Sequence, residues 1–206
     1  ALDEIAADSE ITIGAITGWR GGSMVHPDGV ETFFEGVEAN LEVAARLGCQ
    51  NLAIATGELN AKGEVVHAAA EHPATKWITI YKCGCRLAEL AEKYDVTYSF
   101  EIMNTKTDHA GYPCPLIEDG LRLVEEVGSP RLKLLLDVYH AQIEEGNVSE
   151  LIRQTASVLG YVHVADVPGR HEPGTGEINY PHIAQVLRDV GYTGHVGMEA
   201  FPKADD

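Results

Sequence analysis

Basic residues are scarce in this sequence. Lys and Arg together number 15 among 206 residues, against 32 Asp and Glu, which gives a formal net charge of -17. A protein that binds nucleic acid needs a basic surface to neutralise the phosphates of the backbone. We therefore predict that this protein has no nucleic-acid partner.

Long hydrophobic runs are also missing, since the sequence shows neither a signal-peptide pattern nor an apolar span of membrane length. A transmembrane helix needs roughly 20 consecutive apolar residues. We therefore predict no membrane partner and expect a cytoplasmic protein. With 45% hydrophobic residues, the chain is long enough to bury a sizeable core. We predict one domain over residues 1–206.

Cysteine is rare, and its spacing does not favour a metal or redox site. The four cysteines are Cys49, Cys83, Cys85 and Cys114. Cys83 and Cys85 lie two positions apart in a segment with the apolar pattern of an amphipathic helix, where side chains two apart point in different directions. We predict scattered, reduced thiols, which is what cytosolic proteins usually contain.

One apolar run that ends on an acidic residue is the most informative stretch of the chain. Residues 132–136 are mostly leucine, they follow Ser129-Pro130, and the run ends at Asp137. This length and composition predict a buried parallel strand. Asp137 at its end has two interpretations. It is either a cap of the next helix or turn, or a functional carboxylate at the strand end where α/β folds place their chemistry.

Three other apolar runs carry a similar side chain at the same point, namely Glu101, His163 and Glu199. Together with Asp137 these residues are separated by 36, 26 and 36 positions. A (β/α)8 barrel of ~250 residues repeats every ~31 residues, so these are the spacings of strand–helix units. The sequence therefore predicts that four consecutive strands present three carboxylates and one imidazole to one mouth. This set of ligands suits a divalent cation such as Mg, Mn or Co.

Strand and helix patterns alternate along the whole chain, which predicts a parallel sheet with right-handed crossovers. Six strands can be counted, and six units of ~31 residues match the length, whereas a complete eight-stranded barrel needs ~250 residues. The fold class predicted is thus an α/β (β/α)8 TIM barrel that is incomplete. The predicted strands are residues 11–16, 51–57, 94–101, 132–137, 160–166 and 194–199; the helices are the end of one at 1–7, then 28–47, 74–94, 116–127, 147–159 and 180–190.

Several motifs together resemble the hydroxypyruvate isomerase family. They lie at residues 137–147, 168–173, 176–181 and 191–199, and the similarity is nearly continuous from about Glu101 to Lys203 and weaker but collinear before it. That family belongs to the xylose-isomerase-like TIM-barrel superfamily, alongside ketose 3-epimerases and sugar-acid isomerases. The resemblance implies that the family's first two strands would precede Ala1 and that a last helix would follow Asp206.

The resemblance also implies roles for six residues. The metal ligands would be Glu101, Asp137, His163 and Glu199, with Glu101 and Glu199 also acting as the acid/base pair, while His140 and Arg170 would contact the substrate. The implied reaction is the interconversion of hydroxypyruvate and 2-hydroxy-3-oxopropanoate, by metal-assisted proton transfer through an enediolate. One residue departs from the pattern, because hydroxypyruvate isomerases often carry Gln at the position of His163 and 3-epimerases carry His.

Other functions and other residue roles fit the same sequence. A ketose 3-epimerase or another sugar-acid isomerase would use the same metal site, and a non-catalytic remnant would bind the metal without turnover. His140 could cap its own loop, Arg170 could be a surface charge, and Asp166 is expected to orient one of His163 and Arg170. The resemblance implies a small hydroxy-keto acid or sugar as substrate and a homo-oligomer, although no residue fixes the number of subunits.

Overall fold

A computed structural model describes residues 12–57, 59–60, 62–65 and 70–204. Its centre is a sheet of six parallel strands whose spatial order is the same as their order along the chain. Each neighbouring pair is therefore joined by a crossover over one face of the sheet, as in a barrel. The strands are β1 (Ile16–Thr17), β2 (Asn51–Ile54), β3 (Thr97–Glu101), β4 (Leu132–Asp137), β5 (Leu159–Val164) and β6 (His195–Met198).

Six α-helices accompany these strands in the described part of the chain. They are α1 (Val30–Leu47), α2 (Pro73–Tyr94), α3 (Ile117–Val127), α4 (Val138–Glu144), α5 (Val148–Thr155) and α6 (Tyr180–Asp189). The predicted alternation and the six parallel strands of a TIM-barrel-like half-barrel are confirmed. The predicted helix end at residues 1–7 lies outside the described residues.

Helix α1 shows how the sequence produces these elements. Its buried residues recur at helical spacing, with Phe33, Val37, Leu41 and Ala44 on one face against the sheet. The helix ends at Gly48, which has a φ of 64° and lets its backbone N–H cap the last carbonyl groups. The predicted boundaries of this helix agree with the structure because both its face and its stop signal are local in sequence.

Two elements differ from the prediction. Strand β1 covers only Ile16–Thr17 instead of residues 11–16, and residue 11 itself lies outside the described part. Helix α4 was not predicted, because it starts directly at the end of β4 without a loop. Asp137 is the residue before this helix, and its side chain accepts a hydrogen bond from the backbone N–H of Tyr139. An N-cap of this kind starts a helix as soon as the strand ends.

The core fills both faces of the sheet, and Leu134, Leu136 and Phe100 are completely buried. The four cysteines are free, and burial raises the pKa of Cys83 to about 12, so that this thiol stays protonated. At the outer strand β6 the apolar side chains of Val196 and Met198, followed by Phe201, are exposed. No helix in the described residues has the length and apolar character required to span a membrane.

Candidate metal and substrate site

The carboxyl ends of four neighbouring strands bring the predicted ligands together. Glu101 and Asp137 are the last residues of β3 and β4, His163 is the penultimate residue of β5, and Glu199 directly follows β6. The register of the sheet places Asp137 opposite His163. One ligand atom from each of the four side chains lies within 4.8 Å of all the others. Sequence spacing alone thus located residues that the fold places in one cluster.

These residues fit a divalent cation. Within the part of the chain that the structure describes, Oε1 of Glu101 and Nδ1 of His163 are buried and have no hydrogen-bond partner. Unpaired buried polar atoms are rare in folded proteins because they are costly. A cation held between them would satisfy both atoms. Three carboxylates and one imidazole are also the oxygen-rich ligand set that Mg, Mn or Co accepts. Glu101, Asp137, His163 and Glu199 are therefore the residues that would hold such an ion.

The electrostatics of the cluster also favour a positive charge at its centre. Nδ1 of His163 lies 3.1 Å from Oε2 of Glu199 and 3.5 Å from Oε1 of Glu101. Burial opposes a charge on His163, but the two carboxylates outweigh it and raise the pKa of the imidazole. Two interactions lower the pKa of the Glu199 carboxyl group. The larger is the contact with His163, and the charge of Arg170 adds to it. The acidic side chains thus attract a cation.

Asp137 caps helix α4 with one carboxylate oxygen and directs the other at the cluster. Its Oδ1 accepts a hydrogen bond of 2.8 Å from the backbone N–H of Tyr139 and so caps α4. Its Oδ2 faces the cluster and accepts a hydrogen bond of 3.0 Å from Nη2 of Arg170. The cap fixes the direction of the carboxylate, so that its second oxygen points towards the other three side chains of the cluster.

Arg170 lies against the cluster, and the alternative of a surface charge is wrong. Its side chain is only 17% exposed, and Nη2 also donates to Oε2 of Glu199 at 2.8 Å. The guanidinium lies 5.0 Å from the centroid of the Tyr139 ring, within the range of a cation–π interaction. The guanidinium can therefore reach any anionic group that enters between Asp137 and Glu199.

His140 is buried beside the cluster, with Nε2 at 3.7 Å from Oδ2 of Asp137. Burial lowers the pKa of this histidine to about 4, so its ring is neutral near pH 7. Its Nδ1 lies 2.7 Å from Nδ2 of Asn104, a residue that follows β3. Asn104 was not among the residues predicted from the sequence. Its place three residues after the strand-end Glu101 is the signal that could have indicated it.

The sequence predicted that Asp166 orients His163 or Arg170, but its carboxylate bonds directly to neither side chain in the described structure. Its carboxylate accepts hydrogen bonds from the backbone N–H groups of Val167, Gly174 and Ile178 at 3.0, 2.7 and 3.0 Å. These bonds hold the Gly/Pro-rich segment 167–178, which carries Arg170. Asp166 thus positions Arg170 through the backbone of the whole segment, and partners of this kind leave no pattern in the sequence.

We expect Asp166→Ala to lower the free energy of unfolding by about 3 kcal/mol, because hydrogen bonds to a charged group contribute about 1.5–3 kcal/mol each and backbone N–H groups are left unpaired. Asp166→Asn is the matched variant. Its single oxygen can keep the two bonds that Oδ1 makes, to Val167 and Ile178, so its loss should be smaller. Urea unfolding measures both losses. An Asp166→Ala protein as stable as the parent would contradict this account.

The Asp166 carboxylate makes the stability of segment 167–178 depend on pH. Burial opposes the charge of Asp166, but its backbone N–H partners outweigh burial and hold its pKa below the ordinary value. Its contribution to stability is therefore complete above the unfolded-state pKa of about 3.9 and is lost as the pH falls through the lower folded-state value. The Asp166→Asn variant should lack this part of the acid sensitivity.

A parallel barrel-type sheet with three carboxylates and an imidazole at its strand ends defines an α/β-barrel protein with a candidate divalent-metal centre. A family model described as Xylose isomerase-like TIM barrel matches residues 1–206. The chain belongs to this family.

Curated relatives and solved structures agree with this assignment. Hydroxypyruvate isomerase of Escherichia coli is 32% identical over 179 residues, which cover 86% of this chain and 65% of the relative. The 2-oxo-tetronate isomerase of Cupriavidus necator is 39% identical over 117 residues, which cover 57% of this chain and 45% of the relative. The chain therefore spans less than two thirds of the length of either relative.

Two solved structures share the fold over nearly the whole chain. A structure described as an AP endonuclease, family 2, from Brucella melitensis superimposes with a TM-score of 0.85 at 28% identity and covers 99% of this chain and 79% of that one. L-ribulose 3-epimerase superimposes with a TM-score of 0.75 at 26% identity, covering 98% of this chain and 66% of that one.

Proposed function

We propose that this chain carries the metal and acid/base centre of a sugar-acid isomerase that interconverts hydroxypyruvate and 2-hydroxy-3-oxopropanoate. The observation that carries the proposal is the cluster of Glu101, Asp137, His163 and Glu199 with the Arg170 guanidinium beside it. A Mg, Mn or Co ion in this cluster would supply positive charge that stabilises an enediolate. The relatives named as isomerases of hydroxypyruvate and 2-oxo-tetronate support this substrate class.

In this proposal the two glutamates transfer the protons. Glu101 ends β3 and Glu199 follows β6, and these strands flank β4 and β5 in the sheet, so the two side chains approach the cluster from opposite sides. In the proposed reaction Glu199, as the carboxylate, removes a proton from C3 of hydroxypyruvate, which is adjacent to the carbonyl carbon, and Glu101, as the protonated acid, gives a proton to C2. Proton exchange with solvent after product release restores both glutamates. Glu199 is the better placed base because its side chain is 52% exposed and can reach a substrate that enters from solvent.

The remaining two residues bind the substrate's oxygen atoms. Arg170 can bind the carboxylate of the substrate through N–H groups other than Nη2, which bonds to Asp137 and Glu199. Among the described residues its buried Nε has no hydrogen-bond partner, so it is free to donate to an anion. His140, as a neutral and buried ring next to Asp137, can exchange a proton with the oxygen atoms at C2 and C3. These roles require an acidic substrate of a few carbon atoms.

A ketose 3-epimerase is the second candidate. Two observations favour it: the imidazole of His163 in place of the Gln typical of hydroxypyruvate isomerases, and the fold shared with L-ribulose 3-epimerase. A neutral ketose, however, would offer no carboxylate to the buried Nε of Arg170, which bonds to neither Asp137 nor Glu199. Cleavage of DNA is disfavoured by the net charge of -17, which repels a polyanion. A metal-binding remnant is the third candidate, and it would bind the ion without turnover of any substrate.

The test is a substrate panel with the natural chain that contains these residues. Hydroxypyruvate, 2-oxo-tetronate and a set of neutral ketoses are each incubated with Mg, Mn or Co, and the products are separated by chromatography. We expect turnover of the acidic substrates and at least 100-fold lower kcat/KM on the ketoses, about the effect of losing one charge-assisted ion pair. Turnover of ketoses alone would establish the epimerase, and metal binding without any turnover would establish the remnant.

A further inference from the structure

Asn104 lies in the loop after β3 and is completely buried. Its side-chain Oδ1 accepts hydrogen bonds from the backbone N–H groups of Thr107 and Asp108 at 3.0 and 3.1 Å. Its Nδ2 lies 2.7 Å from Oδ2 of Asp108 and 2.7 Å from Nδ1 of His140. An amide oxygen can only accept and an amide NH2 can only donate. Two N–H donors on one side and a carboxylate on the other therefore fix the orientation of the amide.

The orientation of Asn104 determines which ring nitrogen of His140 carries the proton. Nδ1 of His140 faces the Nδ2 donor, and the backbone N–H of Asn104 also points to it at 3.4 Å. A nitrogen that faces two donors must accept, so it carries no proton. In a neutral imidazole the other nitrogen then carries it. Nε2 is on the side of the cluster, 3.7 Å from Oδ2 of Asp137.

We propose that Asn104 is a positioning residue that holds His140 in the tautomer with the proton on Nε2, and so directs an N–H donor at the substrate's oxygen atoms. The catalytic part of this inference rests on the proposed isomerase function, whereas the tautomer itself does not. The opposite tautomer would present a lone pair to the substrate. It could not donate to an enediolate oxygen, where negative charge develops.

A second contact of the same loop supports this arrangement. Oδ2 of Asp108 accepts a hydrogen bond from Nδ2 of Asn104. It also accepts a hydrogen bond of 2.8 Å from the hydroxyl of Tyr139. The ring of Tyr139 in turn faces the guanidinium of Arg170. One loop therefore supports both of the proposed substrate-binding residues. Networks of this kind determine the tautomer and the direction of a functional histidine.

The decisive variant is Asn104→Asp, because the side chain of aspartate has nearly the same shape as that of asparagine. One carboxylate oxygen can still accept from Thr107 and Asp108. The other oxygen would lie 2.7 Å from Oδ2 of Asp108, so these two carboxyl groups share one proton, and the same oxygen now faces Nδ1 of His140 as an acceptor. The ring proton of His140 should move to Nδ1. The control is Asp108→Asn, whose amide oxygen can still accept from Asn104 and Tyr139, so the tautomer of His140 should not change.

The tautomer is read directly from the chemical shifts of the two ring nitrogens, in long-range proton–nitrogen correlation spectra of protein labelled with 15N-histidine. His140→Gln assigns the signal among the nine histidines. We expect a protonated Nε2 in the parent and in Asp108→Asn, and a protonated Nδ1 in Asn104→Asp. A protonated Nδ1 in the parent protein would overturn the inference, whether or not Asn104→Asp folds.

Kinetics gives the second measurement. Asn104→Asp should lower kcat by about 100-fold, the lower limit for a lost general acid, with little change in KM, because the donor acts mainly on charge that develops during the reaction. An unchanged kcat together with a reversed tautomer would overturn the catalytic part. If the parent has the Nε2 proton but isomerises no substrate of the panel, the proposed function fails and the assigned tautomer still holds.

Discussion

Replacing Glu199 by Gln should lower the isomerisation rate by about 10⁴-fold, the upper range for loss of a general acid or base. Gln has nearly the same shape and keeps one oxygen that faces the cluster, but it cannot take a proton from carbon at neutral pH. The rate should be measured at saturating metal, because Glu199 is also a proposed ligand and the variant binds the ion more weakly. Metal affinity is determined separately by calorimetry.

The matched control is Glu125→Gln on helix α3, which makes the same chemical change at an exposed position. Its activity should equal that of the parent. If Glu199→Gln retained full activity at saturating metal, Glu199 would not be the base. A loss that disappeared completely as more metal was added would show that Glu199 acts only as a ligand.

Removal of divalent metal should abolish the isomerase activity, and Mg, Mn or Co should restore it. The same ion should stabilise the fold, because a ligand that binds only the native state at 100 times its Kd adds about 2.7 kcal/mol to the free energy of unfolding. Among the described residues, Oε1 of Glu101 and Nδ1 of His163 are buried without a hydrogen-bond partner. An ion between them would replace the contacts of 3.5 Å between these two atoms and of 3.1 Å between Nδ1 and Oε2 of Glu199. We expect the unfolding temperature to fall on addition of a chelator.

His163→Ala should lose this response to metal, since it removes the one nitrogen ligand of the cluster. His182→Ala is the control, because His182 is exposed on helix α6, away from the strand ends. Calorimetry with each metal and scanning of the unfolding temperature measure the two effects. An unfolding temperature that was the same with and without metal, at concentrations that saturate activity, would contradict a metal centre at these residues.

The sequence was sufficient to locate the cluster because the relevant information is local. Each of Glu101, Asp137, His163 and Glu199 ends an apolar run, and the ends of parallel strands meet at one edge of the sheet. The same reasoning predicted six strands and the helix between residues 28 and 47. No contact between distant residues had to be known for these predictions.

The supporting residues could not be predicted because their partners are distant in sequence or belong to the backbone. Asn104 and His140 are 36 positions apart and meet only when β3 and β4 pair. Among the described residues, the hydrogen-bond partners of the Asp166 carboxylate are backbone N–H groups, which every residue type except proline supplies. The helix that begins at Val138 was missed for a different reason, since a strand and a helix joined without a loop leave no turn residues to mark the boundary.

The exposed apolar edge at β6 affects how the isolated chain behaves in solution. Val196, Met198 and Phe201 are 51%, 67% and 66% exposed, and an outer strand with apolar side chains is a surface on which other chains can associate. The net charge of -17 opposes such encounters through mutual repulsion. Salt screens this repulsion over about 10 Å at 0.1 M but leaves the apolar edge unchanged. The colloidal stability of this chain therefore decreases as ionic strength rises.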